Sequence, residues 1–242
     1  DNTDMCSFIR GYFEDSYHII ESDNGQVGFE KAVENIPDII ISDVMMPIMN
    51  GYELCQKLKT NEITCHIPVI LLTARASKES KMEGLDTGAD DFITKPFDGE
   101  ELQVRVANLV EQRKKLSEYY KNELEPKQAT IKEEELSMDE RFVRKARFVV
   151  EKNLSNSEYG VDKFAADMAL SRIQLHRKLR ALVNQSGTEF IRNQRLNRAV
   201  ELLNKRIGNI SEIAYDAGFN NPTYFGVSFK KRFGMSPSEY LD

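Results

Sequence analysis

The sequence predicts two domains of different class: an α/β doubly wound parallel sheet in residues 1–116 and an all-α domain in residues 138–242, joined by a charged linker at 117–137. Three observations carry this reading. In the first half, three short apolar runs rich in β-branched residues alternate with helical patterns, the order expected of a parallel sheet wrapped by helices. In the second half, a short helix, a tight turn and a longer basic helix occur twice. Charge divides at the same place: residues 1–116 hold 12 Lys and Arg against 21 Asp and Glu, whereas residues 137–242 hold 18 against 12. An acidic half joined to a basic half suggests a regulatory domain attached to a nucleic-acid binder.

Met5, Phe8, Ile9 and Phe13 share one face of a first helix. Ile39-Ile40-Ile41-Ser42 then ends in Asp43, followed by Val44-Met45-Met46-Pro47-Ile48-Met49-Asn50-Gly51. Such a run reads as a buried strand that delivers one carboxylate to its C-terminal edge, where open α/β sheets place their chemistry. Tyr52, Leu54, Cys55 and Leu58 form the next helical face. Ile67-Pro68-Val69-Ile70-Leu71-Leu72 ends in Thr73-Ala74, and Asp91-Phe92-Ile93-Thr94 ends in Lys95-Pro96. Pro96 denies Lys95 a helical backbone and directs the loop. Asp98-x-x-Glu101 has the capping-box pattern and opens a helix carrying Leu102, Val106, Leu109 and Val110. An aspartate, a threonine and a lysine, each after its own strand, suit a site where a carboxylate takes a phosphoryl group while a hydroxyl and an ammonium hold its oxygens.

Glu118 to Glu135 is charged, broken by Pro126 and without an apolar stripe, so it reads as a linker or partly helical connector. Ser137-x-x-Glu140 opens a helix bearing Phe142, Ala146 and Val149. Val161 to Met168 is a short helix; after Ala169-Leu170, Ser171 and Gln174 form another capping-box pattern that starts a basic helix through Arg180. The arrangement recurs as Ile210 to Ala217, the turn Gly218-Phe219-Asn220, and Pro222 to Phe233. Gly218 supplies a permissive turn backbone and Pro222 suits a first helical turn. Phe190 to Arg206, with Ile191, Leu196, Ala199, Leu202 and Leu203 in a stripe, is the spacer between the two units.

The motifs Asp43 to Gly51, Thr73-Ala74 and Lys95-Pro96 agree in order and interval with the receiver domain of two-component response regulators, which the first half closely resembles. The resemblance implies a flavodoxin-like fold, with Asp43 as the phosphoacceptor of a histidine kinase, assisted by Thr73 and Lys95. It implies Mg²⁺ held by Asp43, the backbone carbonyl of Met45 and an acid at the end of the first strand, which Asp1 matches. It also puts Thr73 and Phe92 at switch positions. The first receiver strand and its first acid are missing from this sequence, which fits a fragment of a longer protein.

The second half resembles the AraC/XylS family of transcription regulators in Ile213-Ala214, Gly218-Phe219, Tyr224-Phe225, Phe229-Lys230 and Phe233-Gly234-Met235-Ser236-Pro237-Ser238-Glu239-Tyr240. The second helix of each unit is then expected to enter the major groove of double-stranded DNA, about 34 Å from the other. Arg172, Ile173, His176 and Arg177 are expected to line the groove in the first unit, with Arg177 on guanine and Ile173 on a thymine methyl. Arg172 and Lys178 read equally as phosphate contacts or solvated charges. Thr223, Tyr224 and Val227 hold the equivalent positions in the second unit, with Lys230, Lys231 and Arg232 on phosphates.

Together the resemblances imply a transcription regulator controlled by phosphorylation of Asp43, with phosphorylation-promoted homodimers on repeated promoter sites. The wording of the receiver looks most like hybrid systems in which a membrane sensor kinase, receiver and AraC-type domain share one polypeptide, so that a kinase upstream could phosphorylate Asp43 in cis; a free-standing regulator whose first residues are unrecorded stands beside it. The segment itself is expected to be cytoplasmic and not an enzyme. Two alternatives stand beside this: a constitutive DNA binder with an inert receiver, and a phosphohydrolase acting through an aspartyl phosphate. The latter lacks a second aspartate two residues on, where Met45 stands. Cys6, Cys55 and Cys65 form no metal-ligand pair and read as reduced thiols.

Overall fold

The computed structural model describes residues 3–74, 87–122 and 136–241. It divides into two compact units, one built mainly from residues up to Asp139 and the other from Glu140 onward.

In the first unit, β1 (Ile40–Asp43), β2 (Val69–Thr73) and β3 (Asp91–Thr94) form a parallel sheet in the order β1-β2-β3. The register sets Ile41 beside Ile70 and Leu72 beside Ile93. Every residue of β2 is buried, which explains its unbroken apolar run: both of its faces are covered. Ile70 and Leu72 point to a cluster with Phe13, Leu102 and Val106, supplied by α1 (Thr3–Phe13) and α4 (Gly99–Asn122). Val69 and Leu71 point the other way, onto Ala32, Leu54, Cys55 and Leu58, supplied by α2 (Gly25–Asn35) and α3 (Gly51–Thr60). The sheet is therefore doubly wound. Among the described residues no strand pairs with the edge of β1 that faces away from β2, and three of its four residues are only half-buried.

Two elements differ from the sequence expectation. Helix α2 was not expected, because its apolar residues are interrupted by Gly25 and Gly28; the readable signal was Asn24, whose side chain accepts from Val27 N and caps the helix. Helix α4 continues to Asn122, past the expected boundary at Leu116. Residues 111–122 contain no Gly or Pro and several strong helix formers, so nothing local stops the helix. Residues 123–135 of the charged linker lie outside the described residues.

The second unit contains α5 (Met138–Glu151), α6 (Val161–Asp167), α7 (Arg172–Val183), α8 (Gly187–Asn204), α9 (Ile210–Asp216), α10 (Pro222–Phe233) and α11 (Pro237–Leu241). Its α6-turn-α7 and α9-turn-α10 pairs are the two repeats read from the sequence. Helix α8 serves both cores. Near its start, Phe190 stacks on Phe164 of α6 with centroids 5.7 Å apart; further along, Leu196, Ala199, Leu202 and Leu203 pack with Ile213, Ala214, Phe225 and Phe229.

The turn between α9 and α10 rests on Gly218, which adopts φ +87°. A Cβ here would collide with the Leu154 carbonyl and the Arg195 side chain, so both dihedral and space demand glycine. Gly218→Ala is expected to destabilise the second unit by about 1–3 kcal/mol or more, read as a lower urea midpoint in the loss of helical circular dichroism.

Candidate functional site

Parallel pairing brings three strand tips to one edge. The ladder extends past the strands through Val44 N to Leu72 O at 2.9 Å and Lys95 N to Thr73 O at 2.8 Å, which fixes where each following side chain starts. Asp43 and Lys95 meet directly: Nζ lies 2.6 Å from Oδ2, with side chains 11% and 26% exposed. The other carboxylate oxygen accepts from Met45 N at 3.1 Å. Thr73 is buried at the tip of the intervening strand. Lys95-Pro96 is a cis peptide bond. The site thus offers one carboxylate between two donors, a nearby hydroxyl, and a rim where Met45 and Ile48 are exposed.

The loop after β1 is held closed. Gly51 N donates to Val44 O at 3.0 Å, and a Cβ on Gly51 would collide with the Asp43 carbonyl. A reciprocal capping box between Asn50 and Glu53 then starts α3. Gly51, the last residue of the Asp43 motif in the sequence, thus supports the site through its backbone, with the Asn-Gly pair as its local signal.

Phe92, half-buried, packs against the α2–α3 side of the sheet; the strand register sets it opposite Leu71 rather than at the tip. The Asp43 carboxylate and the Met45 carbonyl are hard oxygen donors at a solvent-facing rim, the donor class that Mg²⁺ accepts alongside water. No group of three or more His, Cys, Asp or Glu suited to a metal occurs among the described residues, and Asp1, the other expected ligand, lies outside them.

In the second unit, α7 begins as its sequence pattern requires: Ser171 N donates to Gln174 Oε1 at 3.0 Å and Gln174 N to Ser171 Oγ at 3.1 Å. Arg172, Ile173 and His176 are exposed and Arg177 half-buried, while Leu175 and Leu179 are fully buried. Spacings of three and four residues put the four candidates on one face. Lys178 corrects the sequence reading. It is completely buried, its ammonium 5.0 Å above the Phe142 ring centroid of α5, so it is neither a solvated charge nor a phosphate contact.

On α10, Thr223, Tyr224, Val227, Lys230 and Lys231 are all exposed, opposite buried Phe225, Ser228 and Phe229. Asn221 caps the helix and Pro222 occupies its first turn. A hydrogen bond from Arg192 of α8 holds the Tyr224 phenol below its ordinary pKa. Arg232 donates to Asn197 of α8 at 2.9 Å, so α8 steadies the second helix at two points.

Comparison with known proteins accounts for both units. Residues 1–107 match the response regulator receiver domain and residues 164–242 a helix-turn-helix domain. The chain is a receiver domain joined to an AraC-type helix-turn-helix domain. Over 99% of its length it is 40% identical to histidine kinase P4 of Formosa agariphila, of which it spans 17%. Over 107 residues it is 40% identical to response regulator ArlR of Staphylococcus saprophyticus, covering 44% of this chain and 47% of that one. The receiver domain of a histidine kinase from Syntrophus aciditrophicus is similar in structure, with 32% identity and a TM-score of 0.44, covering 55% of this chain and 93% of that one. The chain thus spans less than half of either curated relative. No described helix is long and apolar enough to cross a membrane.

The two faces of α7 make opposite demands on substitution. Leu175→Ala is expected to cost about 2–5 kcal/mol of stability, whereas Ile173→Ala, at a side chain 60% exposed, is expected to stay within about 0.5 kcal/mol. Urea unfolding of the two variants checks the assignment.

Proposed function

We propose that this chain is the output part of a two-component signalling protein: a sequence-specific, DNA-binding transcription regulator controlled by phosphorylation of Asp43. The observation that carries it is the 2.6 Å contact between Lys95 Nζ and Asp43 Oδ2 beside Thr73, an aspartate already supplied with the cation its acyl phosphate would need.

In the proposed reaction an Asp43 oxygen attacks phosphorus in a phosphohistidine. The P–N bond breaks, the histidine leaves with the electron pair, and an acyl phosphate forms on Asp43. The new group carries charge and acceptor oxygens, and Lys95 and Thr73 are the ammonium and hydroxyl within its neighbourhood. Asp43 and the Met45 carbonyl, with Asp1, would hold Mg²⁺, which supplies positive charge for the phosphoryl oxygens. Turning of Thr73 toward the phosphoryl group, with Phe92 following on the α2–α3 side, is the proposed switch, and homodimers are its proposed readout. The likeness to histidine kinase P4 along nearly the whole chain supports a kinase in the same polypeptide as phosphodonor; a cytoplasmic location for this segment belongs to the same proposal. Beyond the transfer to Asp43, no enzymatic turnover is assigned to the chain.

The DNA-binding half is proposed to present Arg172, Ile173, His176 and Arg177 to one major groove, and Thr223, Tyr224 and Val227 to the next. Lys230 and Lys231 lie beyond them on the same face of α10 as phosphate contacts. The exposed aliphatic Ile173 and Val227 suit thymine methyls, and Arg177 suits guanine.

Acetyl phosphate with Mg²⁺ should label the wild-type chain, extended at its N-terminus, and not Asp43→Asn; equal labelling of both would remove Asp43 from the reaction. Lys95→Ala is expected to weaken the dependence of DNA affinity on phosphorylation, measured by fluorescence anisotropy with and without acetyl phosphate. Arg177→Ala should cost about 1–3 kcal/mol on the preferred site and relax selectivity at one base pair, read in a binding-site selection.

A further inference from the structure

Helix α7 carries one more cation on its exposed face than the sequence reading assigned. Arg180 is exposed, four residues beyond His176 and three beyond Arg177, which puts it in the same strip one turn on. At the other end of that strip stands Arg172. Each of these arginines is engaged by a carboxylate from a neighbouring helix: Arg172 Nη1 lies 3.3 Å from Asp162 Oδ1 of α6, and Arg180 Nη2 lies 3.3 Å from Glu189 Oε2 of α8. All four side chains stay open to solvent, between 37% and 78% exposed. The same Glu189 oxygen also accepts from Ser186 N at 2.7 Å and Ser186 Oγ at 2.8 Å, which fixes this carboxylate in place independently of the arginine.

We infer that Arg180 is a further DNA-phosphate contact of the first recognition helix, and that Asp162 and Glu189 are built-in competitors of the phosphates for Arg172 and Arg180. The inference rests on the DNA-binding reading of α7. Its physical basis is an exchange. An exposed ion pair is weak, so a phosphate brought against the helix can replace the carboxylate. The exchange yields less than the capture of an uncommitted arginine, because a carboxylate is left behind next to the duplex. Counterion release per phosphate is reduced for the same reason. A loosely seated duplex gains little by displacing the carboxylates, and a docked one gains more, so the two acids tax non-specific binding above all.

The test uses the full 242-residue chain and a mixed-sequence duplex about three helical turns long, titrated by anisotropy across a salt series. Asp162→Asn and Glu189→Gln, the latter retaining an acceptor for Ser186, should each tighten binding roughly 1.5- to 5-fold at low salt. Each should also steepen the salt slope, by up to about one unit. Arg180→Gln should weaken binding and flatten the slope. In the Arg172→Gln background the gain from Asp162→Asn should vanish; a gain that persists there means the carboxylate acts through the overall field, and overturns the inference. Unchanged affinity and slope in both acid variants, with a wild-type chain that binds the duplex, overturns the inference and leaves the DNA reading standing. A wild-type chain that binds no duplex removes both. Matched circular dichroism spectra establish that each variant is folded.

Discussion

Strand β2 is the constraint on which the first unit depends. With both faces covered it is apolar from Val69 to Leu72 and places its one hydroxyl, Thr73, at the tip, and its parallel pairing on both edges fixes the heights of its neighbours. That register puts Asp43 one residue past Leu71's partner and Lys95 one residue past Thr73's, so the carboxylate and ammonium are brought within 2.6 Å. Neither residue would be held at this edge by its own loop. The close return of Gly51 under the Asp43 carbonyl completes the arrangement, since a side chain there would push the loop outward and carry the Met45 N–H away from the carboxylate.

The second unit solves a different problem: keeping two exposed helical faces in a fixed relation. Short helices such as α6 and α9 have little stability of their own, and here they are held by apolar burial against one long helix. Helix α8 reaches Phe164 near its start and Ile213, Phe225 and Phe229 further along, then adds polar ties to α10 through Arg192 and Asn197. A rigid member shared by both cores holds the two helices in a fixed relation, as the proposed reading of successive turns of one duplex requires.

The charge of the chain follows this division of labour. An acidic receiver repels nucleic acid, while the basic half attracts it, and in the inferred exchange the carboxylates paired with Arg172 and Arg180 compete with phosphates for those arginines. Exposed ion pairs contribute little to folding. Their consequence lies in what they compete with.

Much of the molecule was legible without coordinates. The apolar runs, the polar residue ending each, the capping boxes and Gly218 with Pro222 are local signals whose physics depends on neighbours in sequence, so they identified three strands, both repeats and the candidate residues around Asp43 and on α7 and α10. Helix α2 escaped because its glycines blur the helical period, and the end of α4 because no local stop signal lies near Leu116. What only tertiary structure decided is which side chains meet. Lys178 looked like its solvated neighbours in sequence yet lies buried over Phe142, and Arg180 looked like part of a basic run yet is matched to Glu189 on another helix. Sequence sets period and local conformation, because these are properties of a few adjacent residues; the pairing of a cation with a ring or a carboxylate depends on how separate elements pack, and that is fixed only when the chain has folded.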